Sequence, residues 1–499
     1  MIFAQISQTV FPSISWFAIA PELALSVGAA LVLLVEVQWK PRTRVLGYLA
    51  ALAITVAAAF SLAQWLRLDD IIALPRDQFF RAFLPFGQMV VLDHSSVLAR
   101  FVLLAVTSLG IVSGWNLFEK LGRRAAEALA LVLLATAGFA LMASSVHLVM
   151  IFLGLEVGSI SLYVLAGITR ERADSDEAAI KYFLLGSVAS AVFVYGAALV
   201  FAATGLLNLL QIQGIFSQVV FTKPAVLLIG VALLIVGLAF KVSAAPFHSW
   251  APDVYQGAPA GLVGYMAAVA KIGGFAALMR ILFSAFPQLI DDWAPIIAGI
   301  ATLSMVLGSV VAIVQDDVRR LLAYSGVAHA GFILTGVAAG AAAAPAIWFY
   351  VAVYTVQLVG GFAVVASVGG ADASRSALSS FAGLSKRQPF LAASFTVLLL
   401  GMSGLPLTSG FVAKFGVFQD AWQGGLEWLV VVALLASVVA FFIYLRVIVV
   451  MYMQEPEAGD VAAPAGYTRL VLWLATAVTV VFGLLPAPLL QIAANALPL

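Results

Sequence analysis

Runs of about twenty apolar residues, the length that crosses a bilayer as a helix, recur along the whole chain with short polar or Pro/Gly-rich breaks between them. They predict fourteen membrane-spanning helices over 16–37, 45–66, 93–117, 125–143, 146–168, 177–204, 223–246, 258–285, 293–315, 318–340, 345–369, 389–422, 426–453 and 467–493. The first run, from Trp16, is long enough to stay as a spanning helix, and the preceding residues lack the basic start of a cleavable signal. No connecting segment is long enough for a soluble catalytic domain, and the GxxxxGK[ST] phosphate loop is missing. Energy for transport therefore has to come from an ion gradient or from a partner.

The pattern repeats once. The sixth run opens with Ala-Ile-Lys-Tyr-Phe (Ala179 to Phe183) and the eleventh with Ala-Ile-Trp-Phe-Tyr (Ala346 to Tyr350). The same offset carries the seventh run, broken at Pro246, to the twelfth, broken at Pro406 among Gly401, Gly404 and Gly410. Five spans separate the members of each pair, so the two units are inverted with respect to each other. Paired interrupted helices in inverted repeats mark the ion sites of secondary transporters. The predicted fold is an all-α polytopic membrane protein with interrupted helices 7 and 12. Its divisions are residues 1–124, a first five-helix repeat over 125–285, a second over 286–453, and a C-terminal helix in 454–499.

Short cytoplasmic loops retain Lys and Arg. One set of alternate loops holds fifteen, among them Lys40, Arg123, Arg170, Arg172, Arg320, Arg375 and Arg387. The other side holds Arg67, Arg76, Arg81, Lys223 and Arg280, the last at a helix end from which it can snorkel. Both termini are thus expected on the side away from the cytoplasm. The remaining cations, Arg100, Lys241, Lys271, Lys414 and Arg446, lie inside spans.

Composition narrows the function. Of 499 residues 63% are hydrophobic and 10% charged, whereas charged residues make up about a quarter of a soluble domain. A net charge of +1 with scattered cations argues against a nucleic-acid partner; lipid and other membrane subunits are the expected partners. With no cysteine there is no thiolate for an iron–sulfur cluster. His94, His147, His248 and His329 have no close metal-ligand spacing.

The costly residues are those that carry charge at mid-membrane. Glu156 lies ten residues from the outer end of its span, roughly 15 Å at helical rise, and Lys241 and Lys271 are equally deep. An ionised side chain at the centre of a span costs about 3 kcal/mol on insertion scales, so these groups should face the bundle interior. A fixed Glu156–Lys241 ion pair that merely locks two helices is the structural alternative. Three lysines against one glutamate leave at least two without a carboxylate, and a lysine that is charged when paired and neutral when abandoned is a proton switch. Pro246 has no N–H for the Val242 carbonyl, and the freed carbonyls need polar partners; Pro406 acts likewise before Lys414. His248 and His329 are placed toward the cytoplasmic side as relays, and Gln357, Tyr350 and Tyr354 as residues that hold waters between Lys271 and Lys414. Glu22 reads as a helix-terminal acid, Glu36 as an ion-pair partner of Lys40 and Asp93 as an N-cap.

The run Lys241-Val-Ser-Ala-Ala-Pro-Phe-His-Ser-Trp-Ala-Pro-Asp-Val-Tyr-Gln-Gly-Ala-Pro259 closely resembles the seventh-to-eighth helix signature of the antiporter-like subunits of respiratory complex I. Glu177 to Gly186 and Ser325 to Phe332 resemble further signatures of that family. Tyr-Phe-Leu-Leu-Gly, Val-Tyr-Gln-Gly-Ala-Pro and a lysine at position 414 are N-type rather than L- or M-type, as is the lack of a long lateral helix after the last span. The resemblance implies fourteen helices and a proton route in a bacterial inner (cytoplasmic) membrane. Glu156 and Lys241 match the family's couple, Lys271 its central lysine and Lys414 its terminal residue toward the positive side. NADH oxidation on FMN and iron–sulfur clusters and quinone reduction would take place in other subunits, with the M subunit and the small subunits on the K, J, A and H side as neighbours. A subunit of a multi-subunit Na+/H+ antiporter and a scaffold without an ion path are the alternatives.

Overall fold

The computed structural model describes residues 15–72, 88–169, 173–216, 224–370, 376–456 and 461–496. Arg76, Arg81, Arg170, Arg172, Lys223 and Arg375 of the charge count lie outside the described residues. The helices fall where the apolar runs predict: α1 (Ala20–Trp39), α2 (Thr43–Ile72), α3 (His94–Ser113), α4 (Ala125–Ser144), α5 (Leu148–Ala166) and α6 (Ala173–Thr204). The seventh span is split into α7a (Pro224–Lys241) and α7b (Trp250–Gly257). After α8 (Ala260–Arg280), α9 (Ile290–Ile313), α10 (Val318–Ala338) and α11 (Ala344–Gly369), the twelfth is split into α12a (Pro389–Ser403) and α12b (Ser409–Gln423), followed by α13 (Glu427–Met453) and α14 (Gly466–Leu484). Among the described residues twelve helices are long and apolar enough to cross a membrane uninterrupted; the other two spans are the broken ones. The chain is a multi-pass membrane protein.

The inverted repeat is visible in packing. Without a hydrophobic force between helices in lipid, close packing of small residues holds them together. A Cβ on Gly138 of α4 would lie 2.4 Å from the Gly158 nitrogen and 2.8 Å from the Gly154 carbonyl oxygen on α5. On Gly308 of α9 it would lie 2.5 Å from the Ala328 nitrogen and 2.8 Å from the Tyr324 carbonyl oxygen on α10. The same contact is thus built twice from equivalent positions. Gly308→Val is expected to pry α9 from α10 and cut the amount of folded protein severalfold, read as the yield of monodisperse material in mild detergent; a normal yield would show that this approach is not needed.

Burial sorts the helices into a centre and a periphery. All residues of α8 except Gly261, and nearly all of α10 and α11, are buried, as expected of helices that are apolar all round. α1, α2, α6 and α13 expose rows of Leu, Val and Phe outward, where lipid or neighbouring chains meet them. The central helices carry Lys271, His329, Tyr350, Tyr354 and Gln357.

Two buried cations find partners that the sequence did not reveal. Arg280, placed by sequence as a snorkelling residue, is fully buried and makes two hydrogen bonds to Asp93, at 2.8 and 3.0 Å, and one to the Ala143 carbonyl. It cannot snorkel because α8 is covered along its whole length. Asp93 is the expected N-cap of α3, in a capping box with Ser96. Arg100 donates to Glu22, to Gln64 and to the Ala18 carbonyl, so Glu22 is an ion-pair partner and not simply a helix-terminal acid. Glu36 pairs with Arg123 at 3.1 Å instead of Lys40, because Lys40 leaves α1 in a left-handed turn.

Candidate functional site

The break in the seventh span supplies the first polar station. α7a ends at Lys241, and an irregular turn through Pro246 and His248 leads into α7b. The Val242 carbonyl, which Pro246 cannot satisfy, accepts a hydrogen bond from Lys271 Nζ of α8 at 2.8 Å; the same ammonium donates to the Gly326 carbonyl of α10 at 3.1 Å. A Cβ on Gly326 would sit 3.7 Å from Lys271 Cε and 3.5 Å from the Tyr354 hydroxyl, at ordinary contact distance, so the α10 backbone lies close against the lysine. Lys271 is 1% exposed.

The second break repeats the device. α12a ends at Ser403, and its carbonyl accepts from Lys414 Nζ at 2.9 Å. The ammonium also lies 4.4 Å from the centroid of the Phe332 ring on α10, whose electron-rich face favours a cation. Gln357 donates to Ser409 Oγ at the start of α12b, 3.1 Å away. The chain thus sets a lysine against an unsatisfied helix-end carbonyl at each interruption.

Between the two lysines stands His329. Its Nδ1 meets the Tyr350 hydroxyl at 2.9 Å and its Nε2 the Tyr444 hydroxyl of α13 at 3.1 Å, while its ring stacks on Tyr354 at 4.1 Å. Tyr444 also bonds Ser325. Gly326, His329 and Phe332 recur at helical spacing, so one face of α10 runs from Lys271 to Lys414. His329 is 2% exposed and lies eleven residues into α10. That is deeper than the cytoplasmic-side position read from sequence, because half of a 21-residue helix lies on either side of it. His248 stays in the break, with its ring edge-on to Tyr324 at 6.1 Å.

Lys241 and Glu156 form a separate station. Lys241 is 2% exposed, has no hydrogen-bond partner at Nζ among the described residues, and sits 5.5 to 5.7 Å from the ring centroids of Phe139, Tyr163 and Tyr182. Glu156, half-buried, accepts from Ser190 of α6. It borders a lateral groove of about 490 Å³ with Phe152, Ser187 and Tyr195. No ion pair joins Glu156 and Lys241 among the described residues. A locked pair, the structural alternative weighed from sequence, is therefore not what the structure contains.

Sequence reasoning missed Tyr444, Ser190, Phe332 and the aromatic cage around Lys241. A tyrosine or phenylalanine in an apolar span gives no signal of its own, and helices far apart in sequence bring these together. Among the described residues no three His, Asp or Glu side chains converge as a metal-ligand set.

Residues 145–440, which hold both broken helices and Glu156, Lys241, Lys271 and Lys414, match the family described as NADH:quinone oxidoreductase/Mrp antiporter, TM. The chain is 46% identical to NADH-quinone oxidoreductase subunit N of Mycobacterium tuberculosis over 387 residues, 76% of this chain and 72% of that one. It is 36% identical to subunit N of Trichlorobacter lovleyi over 495 residues, 98% of each chain. Among solved structures it superposes on a chain of respiratory complex I from Thermus thermophilus with a TM-score of 0.77 at 30% identity, covering 95% of this chain and 99% of that one. A chain of an archaeal membrane-bound sulfane sulfur reductase gives 0.82 at 25% identity, covering 96% and 97%. A chain of the Mrp complex from Dietzia, at 22% identity with a TM-score of 0.78 and covering 96% and 97%, shares the fold. The fold and the line of buried charges define an antiporter-like membrane subunit. The chain belongs to the NADH:quinone oxidoreductase/Mrp antiporter family, on its NADH-quinone oxidoreductase subunit N branch.

Proposed function

We propose that this chain is a proton-translocating membrane-arm subunit of an NADH:quinone oxidoreductase, with Glu156, Lys241, Lys271, His329 and Lys414 as its proton path. The observation that carries the reading is the doubled device of a buried lysine donating to a helix-end carbonyl at each break, with His329 and three tyrosines between. Transport subunits place ion sites at such interrupted helices, and a proton can pass along side chains that each both give and accept one.

Protons would be taken up from the cytoplasm near the seventh-helix break, where Lys241 and His248 lie, and move through Lys271 and His329 to Lys414. Glu156, which accepts from Ser190, would modulate the Lys241 charge. Tyr350 and Tyr444 hold His329 from its two nitrogens, and Gln357 orients the start of α12b. The driving reaction, NADH oxidation with FMN, iron–sulfur clusters and quinone, would belong to other subunits, and the M subunit and the small subunits on the K, J, A and H side would be membrane-arm neighbours. The bacterial inner membrane, with both termini on the periplasmic side, fits the loop charges. Residues 1–124 and 454–499 would flank the two repeats, which alone carry the path.

Two variants test this. Glu156→Gln or Lys241→Ala is expected to lower NADH-driven proton pumping by the assembled complex severalfold. Pumping and NADH–quinone turnover both at wild-type levels in the two variants would overturn the path. Copurification of flavin and iron–sulfur proteins supports the oxidoreductase, and recovery with antiporter subunits alone would instead favour an Na+/H+ antiporter.

A further inference from the structure

α7b is eight residues long, shorter than the roughly twelve at which an isolated helix becomes even marginal. Its position has to be set from outside. One carboxylate does this: Asp253 pairs through Oδ2 with Lys181 of α6 at 2.8 Å and through Oδ1 with Arg320 of α10 at 2.8 Å. One turn on, Gln256 accepts from the same Arg320 at 3.1 Å. Lys181 belongs to the first repeat and Arg320 to the second, so Asp253 is the shared anion between them. The pairs border a polar cavity of about 420 Å³ whose wall includes Asp174, Glu177, Lys181, Gln256 and Asp317.

The first turn of α7b also reaches the Lys241 station. Trp250, its first residue, stacks on Tyr182 at 4.4 Å with the rings 7° apart and donates through Nε1 to the Phe240 carbonyl at 3.1 Å. Tyr182 is one of the three rings around the Lys241 ammonium, and Phe240 precedes that lysine in the chain. A shift of α7b therefore moves both the cage and the end of α7a.

We propose that Asp253 is a positioning residue: its paired contacts with Lys181 and Arg320 latch α7b between the two repeats and, through Trp250 and Tyr182, hold the Lys241 station closed toward the polar cavity. This deepens the proton-path reading and rests on it for its role in transport. Neutralising Asp253 takes the anion from both contacts at once: Lys181 keeps only Glu177, at 2.7 Å, and the Arg320 guanidinium is left with the amides of Gln315 and Gln256 among the described residues. The effect should thus exceed that of losing either cation alone.

The test exploits a chain without cysteine. Ala244, fully buried in the break, is replaced as Ala244→Cys in the assembled complex, alone and combined with Asp253→Asn, Asp253→Glu or Lys181→Gln. Reaction with a membrane-impermeant maleimide is followed as the mass of this subunit, without turnover. Asp253→Asn is expected to speed labelling roughly tenfold, Lys181→Gln by a smaller factor, and Asp253→Glu, which keeps a charge-assisted partner for both cations, hardly at all. NADH-driven pumping per assembled complex should fall in the same order. Labelling that stays flat in both Asp253→Asn and Lys181→Gln overturns the latch, whatever pumping does. If Asp253→Asn does not assemble, Lys181→Gln, which removes a cation whose side chain is 41% exposed, decides alone by the same criterion. Failure of the path reading shows differently: Glu156→Gln and Lys241→Ala then pump normally while labelling still responds to Asp253.

Discussion

Lys271→Arg is expected to reduce NADH-driven proton pumping by the assembled complex about as severely as Lys271→Met, severalfold in each, as for loss of a positioned proton-transfer group. Arginine keeps the positive charge and has donors enough for the Val242 and Gly326 carbonyls that Lys271 now satisfies. It does not give up its proton inside a protein. If Lys271 only holds α7 and α10 against α8, the arginine variant should pump nearly normally and the methionine variant should fail. If Lys271 relays protons, both fail. Reconstituted complex in sealed vesicles, with pumping and quinone reduction read in parallel, separates the two. Normal pumping by Lys271→Arg would remove this lysine from the path.

Arg280→Met carries the second large effect, on stability. It leaves the Asp93 carboxylate, 2% exposed, without its cation, and breaking one side of a buried pair costs about 3–5 kcal/mol. The Ala143 carbonyl loses its donor as well. The expected result is loss of most of the folded subunit, read as the thermal midpoint in detergent and the amount of complex on native gels. Combining Arg280→Met with Asp93→Asn should restore much of it, since asparagine remains a good N-cap for α3 and no buried charge is left. A double variant as unstable as the single one would show that the pair matters for more than charge balance.

How much of this was legible differs from residue to residue. Apolar run lengths located the unbroken spanning helices among the described residues, because a bilayer fixes the length of a span, but not the polar α7b, which lies between two runs; Pro246 and Pro406 located the breaks because proline removes a backbone donor. Glu156, Lys241, Lys271 and Lys414 stood out because a charge in hydrocarbon is costly enough to be rare. Their partners did not stand out. Arg280 looked able to snorkel, and only the burial of α8 against α3 and α4 brought it to Asp93. Glu156 and Lys241 looked like a pair, yet packing gives one to Ser190 and the other to an aromatic cage.

The sequence by itself determined that the protein spans a membrane many times, that two helices are broken, and that Glu156, Lys241, Lys271 and Lys414 stand inside spans. Each of these follows from local chemistry: hydrophobicity along a run, a missing N–H, the cost of desolvating an ion. The tertiary structure alone decided that Lys271 and Lys414 each meet a break carbonyl, that one face of α10 joins them through His329, and that Asp253 ties α7b to both repeats. Those are contacts between residues far apart in the chain, set by how helices pack, and no spacing along a single helix encodes them.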